Sequence, residues 1–589
     1  MKKMTYKYIA VWAGAALLVL AGCNKLVDLK PINEISDADY WKTADQYKLA
    51  ANEYYTYLIT FANVLYDAAP NTPPSPHSDI RSDLTASRSV FSNGTNTLPA
   101  SDANWDNGYS RLRAINYLLA KDSADIDNPQ RSERLLYVAE AKFFRAYVYF
   151  DLLQQFGGVP IVTRPLSTGS AELKALRNSR DEVVDLIVKD LEDAIAVLPL
   201  ESAIAATNKG RISKGAAQAF LGRVTLYEGT WQKFRSGDPN RYNGLLDKSI
   251  AASNAVITSS QYSLFAPAIL GDSAQKYMFI LEDEKSNPAG LNKSTNKEYI
   301  LANRYSYTQR QIRNNVTHTL VGGGISKKFA DMYLCQDGLP ISKSPLFKGY
   351  DWTRSEYLNR DNRMRYTMMI DSNYYWDNEN PGARTTWIGD AADIASSRGR
   401  HNAGSGTGYQ NQKWGTERRL NDNEEGYDWP VIRLAEVYLN YAEAVYERNG
   451  SISDADLDKS LNLVRNRVNK TMPKLSNGLI ASTSGLDMRT EIRRERTIEL
   501  YLEGFRIDDL KRWKTAETEM PMNILGVKWK GTRWETRWTG TNGASPYAVD
   551  SDGYLIFEGG RKWANKNYLL PIPSQQRLLN PSLDQNPDW

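Results

Sequence analysis

A helical pattern in the stretch LLYVAEAKFFRAYVYFDLLQQFGG, residues 135–158, constrains the fold more than any other feature of this sequence. Apolar side chains recur every three or four residues along it, which predicts a helix with one buried stripe. The stripe consists of Leu136, Ala139, Phe143, Ala146, Tyr147, Phe150 and Leu153. The glycine pair 157–158 predicts the end of this helix. A helix of this length needs other helices to cover its stripe, so the chain should be built mainly from α-helices.

Similar patterns occur along both flanks of the chain. They cover residues 39–66, 105–120 and 183–198, and two more begin at 212 and 431. Small residues inside the last two stripes would let neighbouring helices approach closely, as in stacked helix pairs of the tetratricopeptide (TPR) kind. No even period of about 34 residues fits the chain, so we expect a degenerate TPR-like helical scaffold.

The middle of the chain has a different composition. Gly, Asn, Ser, Asp and aromatic residues dominate residues 259–425, with short strand-like pieces such as 299–301. Long irregular stretches are uncommon in compact domains unless they are functional. We therefore expect three parts: an N-terminal helical part at 37–258, a loop-rich ligand-binding part at 259–425, and a C-terminal helical part with closing loops at 426–589. The Pro-rich loop 67–100 should contribute to the binding surface.

The N-terminus reads as an export signal. Three lysines precede an apolar run at 9–20 that is too short to span a bilayer, so residues 1–22 are expected to be a signal peptide. The boundary Leu20-Ala21-Gly22-Cys23 resembles the bacterial lipobox, in which cleavage leaves a lipidated cysteine. We expect Cys23 to carry lipid, such as palmitate, that holds the protein on a membrane, with residues 23–36 as a tether.

Composition bears on the kind of ligand. The chain has 15 Trp and 35 Tyr but only 14 Phe. Aromatic rings that carry a polar O–H or N–H group suit partly solvent-exposed surfaces, including those that bind sugars. The formal charge of +4 includes the three lysines of the signal and falls to +1 without it. A near-neutral chain argues against nucleic acid as a partner and mildly against highly acidic polysaccharides.

Motifs for catalysis or metal binding are missing from the sequence. Its three histidines do not lie at metal-ligand spacing, and no G-x-S-x-G nucleophile motif occurs. Two stretches that imitate calcium loops, NDNEEG and DSDG, lack the acidic ligand at position 12. We expect no catalytic residue, no metal site and no cofactor. Two possibilities stay open because neither requires a sequence motif. One is a structural calcium ion bound by loop carbonyls, and the other is a pair of catalytic carboxylates that are close only in the folded structure.

Two C-terminal stretches resemble a known family. They are IRRERTIELYLEGFRIDDLKRW at 492–513 and YLLPIPSQQRLLNPSLDQNPDW at 568–589. Further matches in the same order are DADYW at 37–41, RSDL at 81–84, CQDGLPISKSPLFKGY at 335–350 and WPVIRLAEVYLNYAEA at 429–444. Together they resemble the SusD/RagB family, the nutrient-binding outer-membrane lipoproteins of Bacteroidetes.

This resemblance implies a function. Family members have a helical body whose loops form a shallow glycan site, and they sit on a SusC-like TonB-dependent transporter in the outer membrane, facing the cell exterior. The chain is thus expected to bind an oligosaccharide or polysaccharide without cleaving it and to pass it to the transporter. One alternative is a peptide-binding or structural partner lipoprotein of such a transporter. A less favoured alternative is a surface glycoside hydrolase.

The binding residues vary within the family, so candidates come from the loops of this sequence. They are Tyr66, Asp79, Arg81 and Asp83 in the first loop, and Tyr305, Tyr307, Tyr374, Tyr375, Trp376 and Trp387 in the middle. The run 374–376 is the strongest, because three adjacent rings cannot all face one core.

The family signature at 492–513 is rich in Arg and Glu, which suggests either catalysis or a structural network. We expect a single helix whose arginines at 493, 496 and 506 pair with Glu499 and Glu503 within three or four residues. Buried ion pairs between helices are the favoured interpretation, because Arg suits fixed bidentate contacts with carboxylates.

Overall fold

Helices form most of the regular structure in the part of the chain that the computed structural model describes. That part comprises residues 40–65, 77–86, 88–312, 324–351, 353–369, 374–375, 383–384, 406–416, 424–537 and 544–589. The helices of the first half are α1 Ala44–Tyr54, α2 Phe61–Leu65, α3 Ala103–Ala124, α4 Arg131–Phe156, α5 Arg180–Val197, α6 Lys214–Lys233, α7 Pro239–Thr258 and α8 Ala274–Phe279. The others are α9 Lys327–Met332, α10 Thr353–Tyr357, α11 Asn362–Thr367, α12 Leu434–Asn449, α13 Asp454–Asp458, α14 Leu461–Arg465, α15 Asn477–Ser482, α16 Met488–Glu499, α17 Arg506–Arg512, α18 Ala516–Glu519, α19 Arg533–Arg537 and α20 Ser574–Leu579. The prediction of a mainly α fold is confirmed.

Strands are short and pair in twos. They are β1 Tyr299–Asn303, β2 Tyr374–Tyr375, β3 Ala383–Arg384, β4 Trp429–Arg433, β5 Ile524–Lys528 and β6 Tyr554–Glu558, in the antiparallel pairs β1–β4, β2–β3 and β5–β6. The strand predicted at 299–301 is confirmed. The helix predicted from 431 begins only at Leu434, because Ile432 and Arg433 pair with β1 opposite Leu301 and Tyr299.

Helix ends follow local chemistry. The carboxylate of Asp102 accepts from the N–H of Asn104 at 2.8 Å and starts α3. Ser179 and Glu182 form a capping box at the start of α5. At the C-terminal end of α4, Gly157 has φ +78°, a value that favours glycine, and the predicted stop is confirmed.

Helices α3 to α7 stack on their neighbours in chain order, and α12 packs on α7. One close approach joins α6 to α7. A Cβ on Gly229 would lie only 3.0 Å from Leu246 Cγ, and the hydroxyl of Ser249 donates to the backbone carbonyl of Gly222 at 2.8 Å. Small residues thus allow the close packing of helix pairs that the sequence predicted.

The signature region consists of two helices, α16 and α17, and the prediction of one helix is wrong. The residues between them include Leu502 at φ +54° and Gly504 at φ +86°, which no α-helix contains. The predicted pairing within the helix is wrong as well. Arg496 pairs with Asp509 at 2.8 Å, and Arg506 forms a bidentate pair with Asp83 at 2.8 Å.

The acidic residues of the signature region lie in a buried ion network between elements. Glu499 is fully buried and accepts from Arg363 at 2.9 Å and Arg433 at 2.7 Å, and it also pairs with Arg467. Arg433 binds Glu503 at 2.6 Å. This arrangement agrees with the structural interpretation of the Arg and Glu residues, because each partner comes from a different element.

A large apolar core joins all parts of the described chain. It contains residues from α1 to α8, from the middle and from the C-terminal loops, and a second cluster surrounds α12, α14 and α16. None of the described helices is long and apolar enough to cross a membrane.

Candidate functional site

An open cleft of about 380 Å³ lies where α3, α4 and the segment 56–63 meet. We call it the α3–α4 cleft. Its rim is formed by Tyr57, Asn63, Asn104, Asn107 and Arg111, and its floor by His77, Asp151, Gln154 and Asp508. The volume lies within the range of about 300–1,000 Å³ that is typical of small-molecule sites.

The rim presents polar groups on one face of α3. Asn104, Asn107 and Arg111 are spaced by three and four residues, which places them on the same side of the helix. The side-chain amides of Asn107 and Gln154 have no hydrogen-bond partner within the described residues, although Gln154 is only 8% exposed, and the Asn104 side chain interacts with Asp102 at the start of α3. Each amide offers both a donor and an acceptor to a ligand.

Aromatic rings line the wall beside these amides. The Arg111 guanidinium lies 5.0 Å from the ring centre of Tyr57, which itself packs 5.7 Å from the ring of Tyr54. The N–H of Ile59 donates to the Tyr147 hydroxyl at 3.1 Å and so holds the segment 56–63 against α4. The cleft therefore combines rigid apolar ring faces with free amide groups.

The floor of the cleft is a charged triad. His77 Nδ1 lies 2.8 Å from Asp508 Oδ2, and its Nε2 contacts Asp151. Burial alone would lower the pKa of His77, but the two carboxylates outweigh it and raise the pKa to about 10. His77 is thus a cation at neutral pH, and Asp151 and Asp508 are its counter-ions. The triad also ties α4 to α17.

Metal ligands do not converge anywhere in the described ranges: no group of three or more His, Cys, Asp or Glu side chains there could hold a metal ion. The calcium-like stretch DSDG forms a turn instead. The Asp550 carboxylate accepts from the N–H groups of Asp552 at 3.0 Å and Tyr554 at 2.8 Å.

Three of the predicted site residues lie in the interior next to α17. Asp79 accepts from the N–H groups of Gly504 and Arg506 at 3.2 and 3.3 Å, and burial raises its pKa to about 7 against these hydrogen bonds. Asp83 pairs with Arg506, and the Arg81 guanidinium packs 3.9 Å from the ring centre of Phe91. All three side chains are buried and bind other parts of the protein. Their predicted contact with a ligand stays a prediction.

Tyr305 and Tyr307 lie on the turn that follows β1. The Tyr305 ring packs 5.7 Å from Phe61 and 4.5 Å from the Arg310 guanidinium, and Tyr307 is 43% exposed. Because Phe61 belongs to the segment 56–63, this turn adjoins the element that forms one wall of the α3–α4 cleft.

The other predicted residues are only partly covered by the structure. The backbones of Tyr374 and Tyr375 form β2, opposite Arg384 and Ala383. Tyr66, Trp376, Trp387 and the lipidation site Cys23 lie outside the described residues. Their roles stay predictions.

The sequence reasoning did not find the amides of the cleft. Their signal was the polar stripe at 104, 107 and 111, which lies beside the apolar stripe that we used to predict the helix. A polar stripe on a helix is normally only a solvated face. The segment 56–63 and α17 turn this face into the wall of a cleft, and neither contact is visible in the local sequence.

Comparison with known families decides the relationship of the chain. The profile described as "SusD family" matches residues 280–589, more than half of the sequence. This chain belongs to the SusD family. The resemblance stated from the sequence motifs is thereby confirmed. A second profile, described as "Starch-binding associating with outer membrane", matches residues 100–226, which include α3 and α4 of the cleft.

Individual SusD-family relatives are distant but cover nearly the whole chain. SusD-like protein P38 of Formosa agariphila is 24% identical over 543 residues, which are 89% of this chain and 95% of the relative. A SusD-like carbohydrate binding protein of Bacteroides fragilis superposes with a TM-score of 0.70 at 22% identity, over 92% of this chain and 99% of its own. Surface glycan-binding protein A of Bacteroides fluxus has a TM-score of 0.55 at 18% identity, over 93% and 100%. These likenesses show the shared helical, TPR-like fold.

Proposed function

We propose that this SusD-family protein binds an oligosaccharide in the α3–α4 cleft and delivers it to a SusC-like TonB-dependent transporter. One observation carries the binding proposal. The side-chain amides of Asn107 and Gln154 have no hydrogen-bond partner within the described residues, and together with Asn104 they line a cleft with an aromatic wall, in a family whose members include proteins named for glycan binding.

A sugar suits such a surface. A pyranose ring has an apolar face of C–H groups that packs flat on an aromatic ring such as Tyr57. Its hydroxyl groups both donate and accept, and the side-chain amides of Asn104 and Asn107 do the same. The cleft volume of about 380 Å³ suits a short piece of a glycan.

The proposal is for binding without cleavage. Four carboxyl side chains line the cleft, and each is paired with a cation. Asp151 and Asp508 face His77, whose pKa is about 10. Glu503 pairs with Arg433 and Lys413, and Asp509 pairs with Arg496 and Arg512. A hydrolase needs one carboxyl group that holds a proton near neutral pH, and a carboxylate paired with a cation is a poor proton donor. The floor therefore suits ligand orientation rather than acid catalysis.

The proposed location is the outer membrane, with the protein anchored through lipid on Cys23 and facing the cell exterior. The lipobox-like sequence before Cys23 and the family description of outer-membrane association support this. A Cys23→Ala variant should leave the membrane fraction. Cells that lack the protein should take up less of the labelled oligosaccharide, and a TonB-dependent transporter should co-purify with the anchored chain.

The binding proposal is tested with residues 24–589, which contain every described residue. A glycan array identifies the tightest oligosaccharide, and chromatography of the mixture checks for cleavage. The double variant Asn104→Ala/Asn107→Ala should then bind about tenfold more weakly, because each lost hydrogen bond is worth roughly 0.5–1.5 kcal/mol. Asn243→Ala/Asn254→Ala on α7 is the matched control, since it also replaces two helical asparagines, whose side-chain amides form no hydrogen bond in the described part of the chain.

The outcomes separate the alternatives. Unchanged affinity in the cleft variant, with unchanged control, would place the site elsewhere. Cleavage products would support the hydrolase. Binding of peptides, with silence on every glycan, would support the peptide-binding or structural lipoprotein.

A further inference from the structure

A second groove, of about 470 Å³, lies on the other side of the segment 56–59. Thr56 and Leu58 line both this groove and the α3–α4 cleft. Its charged lining residues are Lys48, Lys209, Arg211, Arg304 and Arg310, and its described lining includes no Asp or Glu. We call it the basic groove.

Two of the five cations in the basic groove have a carboxylate partner. Arg211 forms a bidentate pair with Glu140 at 2.7 and 2.5 Å, and Lys209 lies 3.0 Å from Glu201. These charges are compensated within the protein. The groove owes its unbalanced charge to the other three cations.

Arg304, Arg310 and Lys48 form no ion pair with a carboxylate in the described part of the chain. Arg304 Nη1 donates to the backbone carbonyl of Lys209 at 2.8 Å. Arg310 Nη1 donates to the carbonyl of Arg304 at 2.6 Å and to Asn303 Oδ1 at 2.7 Å. Neutral acceptors hold these guanidinium groups without cancelling their charge.

The arginine side chains are also held by packing. Gly210 has φ +100°, and a Cβ there would lie 2.9 Å from Arg304 Cδ, so this side chain crosses directly over the glycine. The Arg310 guanidinium stacks 4.5 Å from the ring centre of Tyr305. A fixed guanidinium loses less conformational entropy on binding an anion than a free one.

We infer that the basic groove binds acidic groups of the glycan, so that the ligand is an oligosaccharide bearing carboxylate or sulfate. The inference rests on the proposed function and names its substrate class. Carboxylate and sulfate both present paired oxygens to the guanidinium fork, and charge-assisted hydrogen bonds are the stronger ones.

The local charge matters more than the net charge of the chain. Exposed charges act over about 8 Å at physiological ionic strength. Three cations that form no ion pair in the described part of the chain therefore attract an anion to the groove, even though the net charge is close to zero. The near-neutral composition mildly disfavoured acidic polysaccharides, but the net charge of the chain does not determine the local charge of this groove.

Arginine-to-glutamine variants test the inference. The array carries uronate-containing, sulfated and neutral oligosaccharides, so that the two acidic chemistries are separated. The tightest acidic binder is measured again after carboxyl reduction or desulfation, and this neutral form should bind at least tenfold more weakly. Arg304→Gln/Arg310→Gln should weaken binding of the acidic form about tenfold and leave the affinity for the neutral form unchanged. Raising NaCl from about 50 to 500 mM should reduce the difference in affinity for the acidic form between the unmodified chain and the variant.

The matched control is Arg113→Gln/Arg577→Gln. Both of these arginines are exposed and donate to a backbone carbonyl, of Leu166 and Leu583, and both lie outside the basic groove. The control should bind the acidic ligand as the unmodified chain does, and thermal melting should show that both double variants are folded.

Four outcomes would overturn the inference. Tightest binding of a neutral glycan, or equal affinity of Arg304→Gln/Arg310→Gln for the acidic ligand, would refute it and leave the proposed function standing. Absence of binding to every glycan by the folded chain would refute both. The chain could also bind oligoglutamate and no acidic glycan, with Arg304→Gln/Arg310→Gln abolishing this binding. That result would assign the groove to an acidic peptide.

Discussion

Neutralising Glu499 should destabilise the fold strongly. This side chain is fully buried at the end of α16 and faces Arg363, Arg433 and Arg467, and its Oε2 also accepts from Gln275 Nε2 at 2.9 Å. The variant Glu499→Gln keeps the size of the side chain but removes its charge. Three buried guanidinium groups would then share one fewer carboxylate.

The expected magnitude follows from the burial. Removing one partner of a buried ion pair costs about 3–5 kcal/mol, because the remaining charge stays desolvated. Unfolding entropy is about 2.1 cal/mol/K per residue, so a chain of 589 residues has about 1.2 kcal/mol/K. If the chain unfolds as one unit, Glu499→Gln should lower Tm by about 2.5–4 °C.

The pH dependence of stability gives a second test of the same residue. Burial alone would raise the pKa of Glu499, but the three arginines hold it well below its usual range. A lowered pKa in the folded state contributes stability that is present above the unfolded value, about 4.5, and is lost as pH falls below it. Glu499→Gln should therefore show a smaller loss of Tm between pH 5 and pH 3 than the unmodified chain.

Differential scanning calorimetry measures both effects. The control is Glu172→Gln, which neutralises an exposed partner of Arg164 and should leave Tm unchanged, because exposed ion pairs contribute little. A Tm of Glu499→Gln within 1 °C of the unmodified chain at pH 7 would refute the structural role of the ion network.

Two further predictions concern the cleft floor and a helix end. The pKa of His77 is raised to about 10 from an unfolded value of about 6.5, so its contribution to stability is present below pH 6.5 and is lost as pH rises towards 10. His77→Gln should therefore flatten the dependence of Tm on pH between pH 6.5 and 10. An equal slope in both proteins would contradict the charged triad. Gly158→Ala should lower Tm, because its Cβ would lie 2.3 Å from the carbonyl oxygen of Asn178. The control Gly244→Ala on α7, where nothing lies within 4 Å, should raise Tm slightly through helix propensity. An equal Tm of the two variants would contradict the packing at the end of α4.

Local patterns predicted the helical scaffold well. The stripe of α4 and its stop at Gly157 depend only on side chains within a few residues of each other, and the same holds for α3 and α5. The start of α12 was misplaced because Val431 to Arg433 pair with β1, far away in the sequence. Periodicity contains no information about such distant backbone pairing.

The contacts of the signature region were harder to predict for the same reason. Arg506 finds its carboxylate at Asp83, 423 residues away, rather than on its own helix. The break between α16 and α17 had one local signal, Gly504, which permits a left-handed backbone. The family motif located the region but did not assign its partners.

The site was only partly accessible from sequence. Tyr305 and Tyr307 were predicted as aromatic loop residues, and Tyr305 packs on Phe61 of the segment 56–63, while their contact with a ligand stays a prediction. The amides of α3 become a binding surface only when tertiary packing brings the segment 56–63 and His77 around them. That arrangement depends on the fold and not on any motif.

The most direct test of glycan binding is a crystal structure of the chain with the tightest oligosaccharide from the array. We expect a sugar in the α3–α4 cleft, with hydroxyl groups within hydrogen-bond distance of Asn104 and Asn107. A sugar bound only at a surface that includes no residue of this cleft would contradict it.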